Sequence, residues 1–252
     1  MRLAAFAALA AALILSGCVA TATVPLPVLS YPMKEGERQR NLLVLLRGIG
    51  DDNRIFAEEG IIDEIRARRL PFDIVAPDSH YGYYKTRTLI ARLKEDIIDP
   101  ARRQGYEQIW LAGFSMGGMG CLFFLDSYPD EVDGVLLTSP FIGWQPILRD
   151  IERAGGIKAW QPPPGNATDW EVMLWSWIKD YAKDTAAAPP IYLGYGTYDM
   201  IATTGPPLFA TILPPERVFT VSGNHTIATF KTIFQHHLDT LARHTPAVSA
   251  GR

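Results

Sequence analysis

A serine flanked by glycines is the clearest place in this 252-residue chain where residue type and spacing could do chemistry. The stretch Gly113-Phe114-Ser115-Met116-Gly117 follows an apolar run and precedes residues with helical spacing. A strand that turns so sharply into a helix needs small residues on both sides of the turn, because the two backbones approach closely. The turn places the serine at a helix N-terminus, where the dipole favours developing negative charge. The pattern predicts Ser115 as a nucleophile; a glycine-rich turn without chemistry is the alternative.

A serine hydroxyl reacts only when a neighbouring base accepts its proton, and histidine is the usual base. The chain offers five candidates: His80, His225, His236, His237 and His244. His225 lies where the last predicted strand ends and the last predicted helix begins. The three later histidines fall on or just after that helix, where we expect solvated surface positions.

A carboxylate would hold the imidazole in the correct tautomer and stabilise the imidazolium. Asp199 closely follows the apolar run 191–195, at a predicted strand end. Asp169, Asp180 and Asp184 are competitors, but they lie within or near a tryptophan-rich stretch and are expected to be solvated. The sequence therefore favours Asp199 as the acid.

Short apolar runs alternate with amphipathic helical patterns along the chain. The runs cover residues 42–46, 72–76, 109–112, 135–137, 191–193 and 218–221. Runs apolar on both faces are typical of buried parallel strands. The helical patterns cover residues 55–69, 89–103, 116–128 and a stretch from Ile227, with Pro100 expected to bend or end the second. This alternation predicts an α/β protein with a mostly parallel sheet flanked by helices.

One segment interrupts the alternation. Residues 141–189 hold five of the six tryptophans and a run of three prolines. We interpret it as an insertion within a single domain spanning residues 41–245, placed between the fourth and fifth predicted strands.

The motif at residues 113–118, with the strand order around it, resembles the α/β-hydrolase superfamily over about residues 40–243. The resemblance implies the chain order nucleophile, acid, base, which Ser115, Asp199 and His225 satisfy and His80 does not. The superfamily also keeps its base where His225 lies. The insertion occupies the position of the superfamily's cap.

An oxyanion hole is the second implication of the resemblance. One donor is the amide of Met116, the residue after the nucleophile. The other is the amide of Ile49, because Arg47-Gly48-Ile49-Gly50 resembles the superfamily's His-Gly-x-Gly turn. Arg47 replaces the usual histidine, so we expect altered bonds around this loop and retained activity.

Aromatic residues near these loops could line a substrate pocket. Tyr81 and Tyr83 follow the second predicted strand, and Trp144 opens the insertion. Apolar aromatic walls suit the hydrophobic parts of an ester. Packing of the tyrosines against the sheet edge, and of the tryptophans in a small core of the insertion, are the alternatives.

The N-terminal segment predicts export and lipid attachment. Arg2 precedes thirteen apolar residues, which is too short for a membrane-spanning helix but fits a signal peptide over residues 1–17. Leu15-Ser16-Gly17-Cys18 resembles the bacterial lipobox, which implies an acyl chain such as palmitate on Cys18. Val19 favours an outer membrane, with the domain facing the periplasm. Residues 18–40 are interpreted as a tether, and an ordinary signal peptide that contains a cysteine is the alternative.

Composition bounds the possible partners. The formal charge is −3 and no basic cluster occurs, which argues against nucleic acid. No clustered metal ligands or dinucleotide fingerprint appear, so we expect no metal and no cofactor. The prediction is a lipid-anchored carboxylic-ester hydrolase acting on a small-molecule ester or acyl substrate through an acyl-enzyme on Ser115. A thioesterase or acyltransferase with the same residues, and a non-catalytic lipoprotein scaffold, remain open, as does the oligomeric state.

Overall fold

The computed structural model describes residues 20–165 and 168–245. Seven strands form one sheet: β1 Val28–Tyr31, β2 Asn41–Leu46, β3 Phe72–Pro77, β4 Gln108–Phe114, β5 Gly134–Thr138, β6 Ile191–Gly196 and β7 Val218–Val221. The α-helices are α1 Ile55–Glu58, α2 Ile61–Ala67, α3 Tyr81–Lys85, α4 Leu89–Leu93, α5 Asp99–Gln104, α6 Met116–Ser127, α7 Gln145–Arg153, α8 Trp170–Tyr181, α9 Gly205–Ala210 and α10 Ile227–His244.

The sheet has the order β1-β3-β2-β4-β5-β6-β7, and every pair except the antiparallel β1 and β3 is parallel. All six residues of β2 are buried. Leu42, Val44 and Leu46 pack in one apolar cluster, whereas Leu43 and Leu45 pack in another. A strand buried on both faces needs helices on each side of the sheet, as the apolar runs predicted. The six predicted strands and the α/β fold class are confirmed.

The predicted helices occur with two local differences. Gly60 takes a φ of +73° and divides the first helical stretch into α1 and α2. In the second stretch, a π-turn over Lys94–Ile98 separates α4 from α5. Pro100 lies at the start of α5, where its missing N–H costs little, so the chain continues helically beyond it.

The predicted tether over residues 18–40 is wrong from residue 20 onward. Val28–Tyr31 forms the edge strand β1, and the amide of Leu26 donates to the Asp96 carboxylate at 2.8 Å. A four-residue edge strand flanked by prolines has too weak a pattern to stand out in the sequence. The predicted signal peptide and Cys18 lie outside the described residues.

No helix within residues 20–165 and 168–245 is both long enough and apolar enough to cross a bilayer.

The prediction of surface positions on the last helix holds for His236 but not for His237. His237 is fully buried, and its Nε2 lies 3.0 Å from the Leu137 carbonyl oxygen. Burial lowers the pKa of His237 to about 4, so its ring is neutral at pH 7 and donates to that carbonyl. His244 is exposed, as predicted, and its Nε2 contacts the hydroxyl of Tyr192.

The insertion packs onto the main core. Trp160 and Trp175 are fully buried in the same apolar cluster as β2. Their indole N–H groups donate to Asp150 and to the Ile142 carbonyl. Of the two alternatives for the tryptophans, these two residues therefore serve packing.

Candidate active site

Ser115 lies in the turn between β4 and α6 with φ +51° and ψ −114°, a strained conformation for a residue with a side chain. The glycines around it permit the turn. A Cβ at Gly113 would overlap the backbone of Gly117, and a Cβ at Gly117 would overlap the carbonyl of Leu46 at the end of β2. The Ser115 amide donates to the Thr138 carbonyl at 3.0 Å, which fixes the turn against β5. The small residues predicted from the motif are therefore required by backbone contact.

The structure brings Ser115, His225 and Asp199 together. His225 Nε2 lies 2.8 Å from Ser115 Oγ, and His225 Nδ1 lies 2.7 Å from Asp199 Oδ2. The three side chains come from the carboxyl ends of β4, β6 and β7, which meet at one edge because the strands are parallel. Their chemical roles stay predictions, but this geometry is what proton transfer from the serine requires.

Asp199 is held in a fixed orientation. Its Oδ1 accepts from the amides of Ile201 at 3.1 Å and Ala202 at 2.8 Å, which leaves Oδ2 for His225. Burial alone would raise the pKa of this carboxyl. Hydrogen bonds from His225 and the Ala202 amide outweigh burial and hold the pKa below its usual value. The side chain is therefore an ionised, oriented acceptor for Nδ1–H.

The competing carboxylates have other partners. Asp169 caps the N-terminus of α8 by accepting from the amides of Glu171 and Val172. Asp180 pairs with Lys183, and Asp184 accepts from backbone amides in its own turn. They are accounted for by local structure.

The loops after β6 and β7 are packed against each other. A Cβ at Gly196 would lie 2.5 Å from the Gly223 carbonyl oxygen, and the Tyr198 amide donates to that oxygen at 2.8 Å. The Phe230 ring and the His225 imidazole are perpendicular, with 4.9 Å between ring centres. These contacts position the imidazole relative to Asp199.

The two residues of the predicted oxyanion hole belong to segments that adjoin the nucleophile. Met116 is the first residue of α6, so no preceding turn of helix supplies an acceptor for its N–H. A Cβ on Gly48 would lie 3.5 Å from the Ser115 Cβ, which brings the loop carrying Ile49 against the nucleophile. No backbone carbonyl among the described residues accepts from the amide of Ile49 or Met116. The role of both amides stays a prediction.

Arg47 organises the loop that carries Ile49. Its side chain is buried, and its Nε donates to Asp78 Oδ1 at 3.0 Å. Its Nη1 also donates to the carbonyl oxygen of Gly48 at 3.2 Å. The replacement of the usual histidine thus produces an ion pair between the ends of β2 and β3. The partner Asp78 was not predicted, because nothing in the sequence links two strand ends 31 residues apart.

Two further residues support the turn and were not predicted. The Tyr84 hydroxyl donates to the Met116 carbonyl at 3.0 Å, and burial raises the pKa of this phenol. Ser139, fully buried with φ +41°, accepts from the Gly196 amide at 3.4 Å and joins the ends of β5 and β6.

The predicted pocket residues separate in the structure. Tyr83 is fully buried and its hydroxyl bonds to Thr23, so its assignment to substrate binding is wrong. Tyr81 and Trp144 are exposed. The segment is the helix α3, so Tyr81 and Tyr83 point in different directions where an extended chain would place them on one face. Phe141 connects Trp144 to the nucleophile turn: its ring lies 4.7 Å from Trp144, and its amide donates to the Ser115 carbonyl at 2.9 Å.

No cluster of three or more histidine, cysteine, aspartate or glutamate side chains suited to a metal ion occurs within the described part of the chain.

Comparisons with known proteins agree with this architecture. A family model described as the alpha/beta hydrolase fold matches residues 41–158. No curated protein sequence matches the chain significantly.

Among solved structures, a monoacylglycerol lipase from Paleococcus ferrophilus superposes with a TM-score of 0.58 at 16% identity, covering 87% of this chain and 99% of its own. An S-formylglutathione hydrolase from Agrobacterium tumefaciens gives a TM-score of 0.59 at 14% identity, covering 90% and 99%. A fluorophosphonate-binding serine hydrolase from Staphylococcus aureus gives 0.59 at 12% identity, covering 86% and 98%. At these identities the likeness concerns the fold. With its mostly parallel sheet and its strand–serine–helix turn, the chain has the α/β-hydrolase fold.

Proposed function

We propose that this chain is a serine hydrolase that cleaves carboxylic esters through an acyl-enzyme on Ser115. The observation that carries the proposal is the continuous hydrogen-bonded line from Ser115 Oγ through His225 to Asp199, at 2.8 Å and 2.7 Å. Esterases and lipases among the structures of similar fold are consistent with it.

The geometry supports a two-step mechanism. Ser115 Oγ attacks the ester carbonyl carbon while its proton passes to His225 Nε2. The amides of Ile49 and Met116 donate to the resulting oxyanion, and each hydrogen bond stabilises the transition state by about 3–4 kcal/mol. When the intermediate collapses, the alkoxide leaves with the proton from His225, and the acyl group stays on Ser115. A water molecule then attacks the acyl-enzyme, His225 takes its proton, and the carboxylic acid is released as the proton returns to Ser115.

Labelling with a fluorophosphonate probe tests the nucleophile. We expect the purified full chain to be labelled and to hydrolyse a chromogenic ester, and Ser115→Ala to lose both. Ser176→Ala is the matched control, because Ser176 lies on α8 and donates to the Val172 carbonyl outside the site. Absence of labelling in folded wild-type protein would contradict the proposal and favour a scaffold.

Parallel assays with a thioester, and with an added alcohol acceptor, distinguish an ester hydrolase from a thioesterase or an acyltransferase with the same catalytic residues. Faster turnover of the thioester would indicate a thioesterase. Transfer of the acyl group to the alcohol in preference to water would indicate an acyltransferase.

We also propose that Cys18 is lipidated after removal of residues 1–17, which would anchor the domain at the cell envelope, facing the periplasm. The support is the lipobox-like sequence Leu15-Ser16-Gly17-Cys18 after the apolar run. Metabolic labelling with an alkyne analogue of palmitate should mark wild-type protein but not Cys18→Ser, and the variant should leave the membrane fraction. Equal membrane retention of both would contradict this proposal.

A further inference from the structure

Large apolar side chains are exposed mainly at one edge of the molecule. Six of the eight exposed examples among the described residues lie in the segments that directly follow the carboxyl ends of parallel strands: Ile49, Tyr81, Trp144, Tyr198, Met200 and Ile201. Single exposed apolar residues are ordinary, but a collection of them at one place marks an interaction surface. We call these six residues the apolar rim.

The apolar rim surrounds the nucleophile. In the sheet order, the loops after β3 and β2 lie on one side of β4, and the loops after β5 and β6 lie on the other. Ser115 follows β4 and is therefore flanked by rim residues on both sides. A surface that covers the rim also covers the carboxyl end of β4, where Ser115 lies.

Two residues of the apolar rim belong to the turn that orients Asp199. The turn that orients Asp199 donates two amides to its carboxylate, and the same turn leaves Met200 86% exposed and Ile201 58% exposed. Burial of such side chains in an apolar phase is favourable, because it removes apolar surface from water. Contact with an apolar phase would therefore stabilise the turn in its oriented form.

The opposite edge of the sheet carries exposed charges. Exposed ion pairs join Lys34 to Glu37 and Arg40 to Glu107 near the amino ends of the parallel strands. The carboxyl edge also carries an exposed ion pair, Arg54 with Asp52 in the loop after β2, so the two edges differ in their exposed apolar residues and not in the presence of charge.

The chain enters the described fold at the apolar edge. The carbonyl of Ala20 lies directly against Gly82 in α3, which follows β3, and the Thr23 amide donates to the Tyr83 hydroxyl at 3.0 Å. Cys18 is only two residues before Ala20, and the apolar run of residues 3–15 precedes it. A lipid on Cys18 would be held within a few residues of the apolar rim, leaving no long spacer between anchor and site.

We propose that the edge carrying the apolar rim lies against a lipid surface, and that the site takes esters resident in that surface. The orientation stands on the rim and the entry point of the chain; the substrate class rests on the proposed ester hydrolase function. A second copy of the chain would also cover apolar residues, but the position of Cys18 beside the rim favours lipid.

Fluorescence of Trp144 tests the orientation without catalysis. The full chain carrying Ser115→Ala is reconstituted in phosphatidylcholine vesicles whose acyl chains are brominated, because bromine quenches tryptophan in contact with it. Trp144 is 60% exposed, whereas Trp110, Trp160 and Trp175 are buried. We expect at least two-fold quenching of the emission that Trp144→Phe removes, and loss of its accessibility to iodide.

Two outcomes would overturn the orientation. One is Trp144 emission that is unquenched by brominated lipid and equally accessible to iodide with and without vesicles. The other is Trp144 protected from iodide without vesicles as protein concentration rises, which would show a second copy on the rim.

Paired substrates test the consequence for substrate class. Met200→Gln should lower hydrolysis of a long-chain ester in vesicles about five-fold and leave hydrolysis of a water-soluble short-chain ester within two-fold. Met33→Gln is the matched control, because Met33 lies at the opposite edge of the sheet, where its amide donates to Asp73 near the start of β3. Equal effects on both esters, or an equal effect of the control, would contradict the proposal.

The two proposals fail separately. Quenching of Trp144 in a chain that no fluorophosphonate labels would refute the hydrolase and keep the orientation. Labelling of Ser115 without quenching would do the reverse.

Discussion

Replacement of Asp199 by asparagine isolates what the carboxylate contributes. The structure determines how the new side chain must lie. Two backbone amides, of Ile201 and Ala202, donate to Oδ1, so the asparagine oxygen must occupy that position. The amide nitrogen then faces His225 Nδ1, where Oδ2 lies 2.7 Å away in the wild type. Because that nitrogen can only donate, Nδ1 must accept.

The proton of the neutral imidazole is therefore forced onto Nε2. There it points at Ser115 Oγ, 2.8 Å away, and the ring can no longer take the serine proton. A wrong tautomer of this kind lowers kcat by about 10⁴-fold, which corresponds to about 5 kcal/mol of transition-state stabilisation. Since the asparagine side chain would keep the shape and both amide bonds, we expect the unfolding free energy to change by only about 1 kcal/mol.

Steady-state hydrolysis of a chromogenic short-chain ester measures the first effect, and thermal unfolding measures the second. Asp169→Asn is a matched control: Asp169 also accepts from the amides two and three residues ahead, and asparagine is an equally good cap. The control should stay within two-fold of wild type. Activity of Asp199→Asn within ten-fold of wild type, with an unchanged melting temperature, would refute the assignment of Asp199.

Three further perturbations follow from the structure. Arg47→Met should lower the unfolding free energy by about 3 kcal/mol, and a double-mutant cycle with Asp78→Asn in denaturant should show a coupling of at least about 1 kcal/mol; additive effects would contradict the ion pair. Because the pKa of His237 is depressed in the folded state, the unfolded chain takes up a proton between pH 6.5 and pH 4 while the folded chain does not. The free energy of unfolding therefore decreases as the pH is lowered from 7. The loss is about 2 kcal/mol between pH 7 and pH 5, and His237→Gln should remove it from urea unfolding curves; an unchanged pH dependence would count against burial of a neutral ring. Gly117→Ala places a Cβ on the Leu46 carbonyl, so we expect a melting temperature lower by about 4–8 °C and reduced activity, and full activity would show that the turn tolerates a side chain.

The sequence predicted the parts of the fold whose signals are local. Apolar runs long enough for buried strands, such as the one that became β2, can hardly be placed elsewhere than in a parallel sheet core. The edge strand β1 was missed because an edge strand needs no apolar pattern on both faces. His237 was wrongly predicted to lie on the surface, because the sequence does not show whether a polar side chain has a hydrogen-bond partner in the core.

Much of the candidate site was predictable for the same reason. Gly113 reflects a backbone contact with Gly117 within five residues, and the strand ends carrying Asp199 and His225 were visible as apolar runs. Tyr83 was assigned to the wrong environment because α3 is only five residues long, too short to show helical periodicity.

By itself, the order of residues determined that the sheet is mostly parallel and that a serine lies in a tight turn at its carboxyl edge, because both depend on neighbours along the chain. Only the tertiary structure decided that Arg47 pairs with Asp78, that Tyr84 donates to the Met116 carbonyl, and that Ala20 lies against Gly82 at the apolar edge. These contacts join segments about 30 or more residues apart, and their geometry follows from how strands are ordered in the sheet. A linear sequence states which residues exist, but packing determines which of them meet.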